Sequence, residues 1–217
     1  MRRCLALAAT VLLAACSSAP LPPDWQLNSR AAMDHAVAAT LSGDARTETL
    51  EFERARSEIA KTGRIELLAH AELMHCAARV ASLALGPCEG FELLRADASA
   101  AQRAYADYLA AHVQPQDIAL LPPSQRAAAA ANEGNALPAL QGIDDPLSRL
   151  VAASVLFQSG RASPAVLALA VDTASAQGWR RPLLAWLEVQ ALRAEKAGDV
   201  AQAQRVRRRL DVIQGVR

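Results

Sequence analysis

The strongest constraint on the fold is punctuation that recurs along the second half of the chain. Asp145-Pro146 and Ser163-Pro164 each put a capping side chain directly before a proline. Asp or Ser at that place accepts a hydrogen bond from a free N–H of the first helical turn. Proline at the first helical position has no N–H to lose. The stretches that follow stop at Gly160 and Gly178. Glycine enters the left-handed conformation that closes a helix without a Cβ clash. Arg181-Pro182 opens a further helix that runs to Gly198, and Asp199 opens the last, through Ala203, Val206, Leu210 and Ile213. Only a few residues separate these helices, so neighbours must run antiparallel. The punctuation predicts helical hairpins over residues 145–217.

The first half uses the same signals less regularly. Helices are expected over residues 25–41, 44–61 and 64–85, closed in turn by Gly43, Gly63 and Gly86-Pro87. A fourth is expected over residues 99–112, a short piece over 117–121, and a fifth over 125–132, after Pro122-Pro123-Ser124. Residues 133–144 hold Gly134, Asn135, Pro138 and Gly142 and read as a loop or a join, dividing a helical region at 25–133 from the hairpins at 145–217. Alanine, the best helix former, is the commonest residue. Aromatics make up only 4% of the chain, and alternating β-branched runs are hard to find, so strands lack their usual signal. The expected class is all-α.

Gly160 and Gly198 lie 38 residues apart, and each divides a pair of helices, as Gly43 does near the start. Ala36, Ala153 and Ala191 sit seven positions before these three glycines. Ala165 and Ala203 sit five after two of them; the first hairpin has Glu48 there. This arrangement resembles the tetratricopeptide pattern, in which small residues let paired helices pack closely. It departs from that pattern in period, which is about 34 residues in the family, and in its mostly unfilled aromatic and proline positions. Two architectures stay open: an array of antiparallel hairpins, or an irregular helical bundle with glycine-closed helices.

The N-terminus carries a different kind of signal. Met1-Arg2-Arg3 precedes an apolar run from Leu5 to Leu13, and small residues then lead to a cysteine in Leu13-Ala14-Ala15-Cys16. The run is too short to span a bilayer, and the layout is that of a secretory signal. It resembles the lipobox of bacterial lipoproteins. The resemblance implies that residues 1–15 are removed and that Cys16 becomes the first residue and carries acyl chains such as palmitate. Ser17, where an inner-membrane lipoprotein would tend to have Asp, implies an outer-membrane anchor facing the periplasm. Residues 16–24, with Pro20, Pro22 and Pro23, read as the tether between lipid and body. Losing Arg2 and Arg3 leaves 21 basic against 22 acidic residues, so the nominal +1 becomes −1. That charge gives no case for a nucleic-acid partner.

Cys4 falls in the signal, which leaves Cys76 and Cys88 as disulfide candidates in an oxidising compartment. Three helical turns separate Cys76 from Gly86, about 15 Å. A bond therefore needs the chain to fold back sharply; otherwise Cys76 is a buried thiol. His70, Glu72, His75 and Cys76 suggest a metal site, but His70 and His75 lie about 140° apart around a helix and no third ligand is evident. No metal or cofactor is expected. Arg205, Arg207, Arg208 and Arg209, with Arg217, read as helix-end cations, and Trp179 and Trp186 as core. No nucleophile-elbow, dinucleotide or phosphate-loop motif occurs. The expected function is a non-enzymatic, lipid-anchored periplasmic scaffold that binds an envelope protein or peptide, with no small-molecule substrate. The alternatives are an envelope enzyme, such as a cell-wall hydrolase without a sequence motif, and a purely structural lipoprotein.

Overall fold

Side-chain caps set the helix starts. Asp44, Asp145, Ser163 and Asp199 each accept a hydrogen bond from the backbone N–H three residues on, at 3.1, 2.7, 3.4 and 3.0 Å. Ser99 and Gln102 form a reciprocal capping box. The computed structural model describes residues 22–215. Cys4, the lipobox with Cys16, Ser17, the tether as far as Leu21, and Val216-Arg217 lie outside the described residues.

The helices are α1 (Asp24–Ser42), α2 (Ala45–Ala60), α3 (Ile65–Ala81), α4 (Glu89–Glu92), α5 (Ala100–Leu109), α6 (Pro123–Ala130), α7 (Ala136–Gln141), α8 (Pro146–Gln158), α9 (Pro164–Ala176), α10 (Arg180–Lys196) and α11 (Val200–Gln214). Short 3-10 turns occupy Arg95–Asp97 and Pro115–Leu120. No strand occurs among the described residues, and the fold is all-α. No helix among them is long and apolar enough to cross a membrane. Gly43 (φ +86°) and Gly198 (φ +73°) close α1 and α10 in the left-handed region.

Four local expectations need correction. The third helix stops at Ala81, not near residue 85, because Leu83 itself turns left-handed (φ +56°) and the Ala84 N–H returns to Arg79 O at 3.0 Å. The fourth stops at Leu109, where Ala111 (φ +59°) does the same. Residues 133–144 are not simply a loop. They contain α7, and Pro138 is tolerated as its third residue, where no intrahelical acceptor awaits an N–H. Ala165 does not line a close helix contact. It is exposed near the start of α9, and Val166 and Leu167 take the buried positions.

The helix α3 lies centrally, packed against α1, α2, α5 and α8. From α8 the chain continues as hairpins through α9, α10 and α11, and α10 returns to touch α1. The main core runs from Ala69 in α3 to Leu210 in α11, with Phe91, Tyr108 and Leu150 among its fully buried members. A smaller core joins Met33, Ala36, Phe52 and Ile59 of the first hairpin to Ala71 of α3. Ala36, Ala153 and Ala191 are all buried, and helices that meet through alanine approach closely. With few aromatics in the chain, Trp186 is the largest buried side chain. Its Nε1–H donates to Ala81 O at 3.2 Å, and Phe157 meets its ring edge-on at 5.9 Å. Trp179 is half-buried against the same core.

Candidate functional site

Two concavities flank α3, and each is fed by one helical stripe. His70, Leu73, Met74 and Ala77 stand at i, i+3, i+4 and i+7 and face one side. Glu72, His75, Cys76 and Arg79 repeat that spacing and face another. The stripes are offset by two residues, about 200° around the helix. That offset separates His70 from His75, and no metal-binding group of three or more such residues forms among the described residues.

The first concavity is a groove of 680 Å3. The α3 stripe forms one wall; Val37 of α1, Tyr105 of α5, Leu120-Leu121-Pro122 and Val151 of α8 complete it. The lining is mainly apolar, with Asp34, His70 and Arg126 as its charged or ionisable groups. A buried relay ties together three of the helices that wall the groove. Tyr108 O–H donates to Gln125 Oε1 at 2.8 Å, and Gln125 Nε2 donates to Ser148 O at 3.0 Å, tying α5 to α6 and α8. Burial pushes the Tyr108 and Tyr105 phenols well above their ordinary range, so both stay protonated. Tyr105 makes no side-chain hydrogen bond among the described residues, and its O–H remains a donor for an occupant.

The second concavity is a pocket of 340 Å3, lined by Phe52, Arg56, Glu72, His75 and Arg79, and by the loop from Ala84 to Gly90. A disulfide between Cys76 and Cys88 holds that loop against α3, with Cα atoms 5.6 Å apart. The left-handed turn at Leu83 supplies the sharp reversal that the bond needs. Glu72 is buried, and its Oε1 accepts no hydrogen bond. Arg56 Nε lies 3.2 Å away without aligning to donate. Burial raises the Glu72 carboxyl above its usual range, more than the Arg56 charge lowers it.

Beside the pocket, Glu48 occupies the place in its hairpin where Ala203 sits in the last one. His75 Nε2 meets Glu48 Oε1 at 2.8 Å, and Arg181 Nη1 donates to Glu48 Oε2 at 2.9 Å. His75 also stacks on Phe52 at 4.1 Å between centroids. Burial pushes the Glu48 carboxyl up, but His75 and Arg181 outweigh it and hold it below the ordinary carboxylate range. Burial pulls His75 down more than Glu48 raises it, so the ring is a neutral Nε2–H donor at pH 7. This junction joins α2, α3 and α10.

Compared with known protein families, with curated proteins and with solved structures, the chain matches none. The two faces of α3 must be read from their own chemistry.

His70, Glu72, His75 and Cys76 lie close together in the sequence, but the structure divides them, His70 to the groove and the others to the pocket. Arg56, Gly90, Tyr105 and Arg126 gave no local signal, and Glu48 gave one only as a departure from the hairpin pattern. Of the arginine cluster, Arg207 bridges Glu188 at 2.7 Å and Glu195 at 2.9 Å on α10, while Arg205, Arg208 and Arg209 stay exposed. Arg207 works as a hairpin tie more than as a helix-end cation.

Proposed function

We propose that this protein is a lipid-anchored helical scaffold of the bacterial envelope that seats an apolar segment of a protein partner in the groove over α3. The groove carries the reading. It is concave and mainly apolar, with few polar groups to orient an occupant. Its charged groups are of mixed sign, so apolar contact supplies the binding and polar contacts set the direction. The Tyr105 O–H can donate to a backbone carbonyl of the inserted segment. Helical hairpins suit extended partners, and the lipobox and proline tether would place the body next to a membrane. The test is affinity purification from chemically crosslinked envelopes. A stoichiometric envelope partner should be recovered, and Ala101→Trp should remove it. Ala101 lines the groove yet is exposed, so a large ring there fills the groove without disturbing the core. Cys16→Ser should reduce recovery by releasing the anchor. Recovery unchanged by Ala101→Trp overturns the reading.

One observation favours a second reading, an envelope hydrolase. Glu72 and Glu89 both line the charged pocket, one buried with weakened acidity and the other exposed. Carboxyls in such different environments can divide acid and base roles. Release of soluble fragments from peptidoglycan by the purified protein, abolished by Glu72→Gln, supports this reading; no release removes it.

A further inference from the structure

We propose that the charged pocket binds a free α-amino acid, with its ammonium on Glu72 and its carboxylate on Arg56 and Arg79. This site is separate from the groove and does not depend on what the groove holds.

A buried carboxylate oxygen without a donor costs free energy that a nearby charge offsets only in part, and a hydrogen-bond donor offsets the rest. Glu72 Oε1 is in that condition, on a side chain only 6% exposed that lines a cavity. Arg56 lies close enough to balance the charge without making the bond.

A Cβ on Gly90 would stand 2.0 Å from Glu72 Oε2, so glycine keeps the space that the carboxylate occupies. The disulfide holds the segment bearing Gly90 in place. At 340 Å3 the cavity lies at the small end of ligand pockets.

The carboxylate and guanidinium stand 3.2 Å apart, and Arg79 lines the same pocket. Adjacent opposite charges are matched by a ligand whose ammonium and carboxylate share one carbon. A peptide separates its termini further, and an ion of one sign leaves half the pocket unmatched. Glu89 adds a carboxylate on the ammonium side of the balance. Phe52, Ala84, Leu85 and Pro87 supply apolar wall for a small side chain. A ligand ammonium beside Glu72 would also favour its ionised form, opposing the effect of burial.

Glu72 and Arg56 could instead serve only to tie α2 to α3. Stability separates the two. A carboxyl whose pKa is raised on folding works against the fold in its ionised form, so Glu72→Gln should be neutral or stabilising, whereas cutting a working tie destabilises. The experiment is calorimetric titration of the purified full-length protein with L-alanine and D-alanine, with propionate and ethylamine as single-charge controls. At least one alanine enantiomer should bind in the millimolar range or tighter, with neither control binding. Glu72→Gln and Arg56→Gln should each weaken binding by about 10-fold or more. Gly90→Ala should abolish binding by displacing the carboxylate. Glu72→Gln should melt no lower than the parent, and Ala101→Trp should leave alanine binding unchanged. Absence of heat with both enantiomers up to about 10 mM, equal binding of propionate, or a clear fall in Tm for Glu72→Gln overturns the proposal.

Discussion

The two sides of α3 solve opposite problems with the same helical spacing. His70, Leu73, Met74 and Ala77 face a groove that Leu120, Leu121, Pro122 and Pro123 help to line, with Leu121 itself packed into the core. Glu72, His75 and Cys76 are closed in by α2, by the disulfide-bound loop and, through Glu48, by α10, while Arg79, which also lines the pocket, is exposed. An apolar stripe can stay partly open at little cost. A buried polar stripe cannot, because each charge needs a partner brought from elsewhere in the chain. The open side is therefore the one suited to receiving a macromolecule, and the enclosed side is suited to something small.

The largest expected effect separates the two sides directly. Replacing Cys76 and Cys88 together by alanine removes a cross-link over 12 residues, worth about 3 kcal/mol by loop entropy. Calorimetry should show that loss of stability. Proteolysis should begin in the 84–90 loop of the charged side while the Pro115–Leu120 segment keeps its protection. Equal sensitivity of both segments would mean that the sides are not independent.

Glu48→Ala should come next, at about 2 kcal/mol, since it strips a charge-assisted bond from both His75 and Arg181. The same junction predicts a pH dependence. His75 has a folded pKa below its unfolded value, so its contribution is complete above about pH 6.5 and is lost as the pH falls below that through the lower folded value. Glu48 is depressed, so its contribution is present above the usual carboxylate range and is lost only at more acid pH. Melting temperature should therefore fall in two stages on acidification, and His75→Gln should flatten the first. A first stage unchanged in His75→Gln would assign it to another group.

On the groove side, Tyr108→Phe should cost about 1 kcal/mol, because Gln125 Oε1 loses its donor in a buried place. It should weaken partner retention in the groove and leave the charged pocket unaffected. Weakened alanine binding in that variant would contradict the separation.

Where an end was written in side-chain chemistry, it was legible. Asp145-Pro146, Ser163-Pro164 and Asp199 start helices through bonds to their own neighbours, and Gly43, Gly160 and Gly198 close hairpins by conformation alone. The end of α3 was not legible, because Leu83 and not a glycine takes the left-handed turn, held by surroundings that no local pattern reports. The candidate sites divide in the same way. The spacing of His70, Leu73, Met74 and Ala77 shows a helix face, but nothing local says that the face stays open. Glu48 stood out as the wrong residue for its place. Its partners His75 and Arg181 lie 27 and 133 positions away, beyond the reach of any spacing rule.

The most direct test of the division is photo-crosslinking in intact cells, with a photoreactive phenylalanine placed at Met74 in one strain and at Arg79 in another. Both positions are exposed on α3, and they belong to opposite stripes. We expect one discrete protein adduct from Met74, abolished by Ala101→Trp, and none from Arg79. Equal adducts from both positions, or a Met74 adduct that survives Ala101→Trp, would contradict the account.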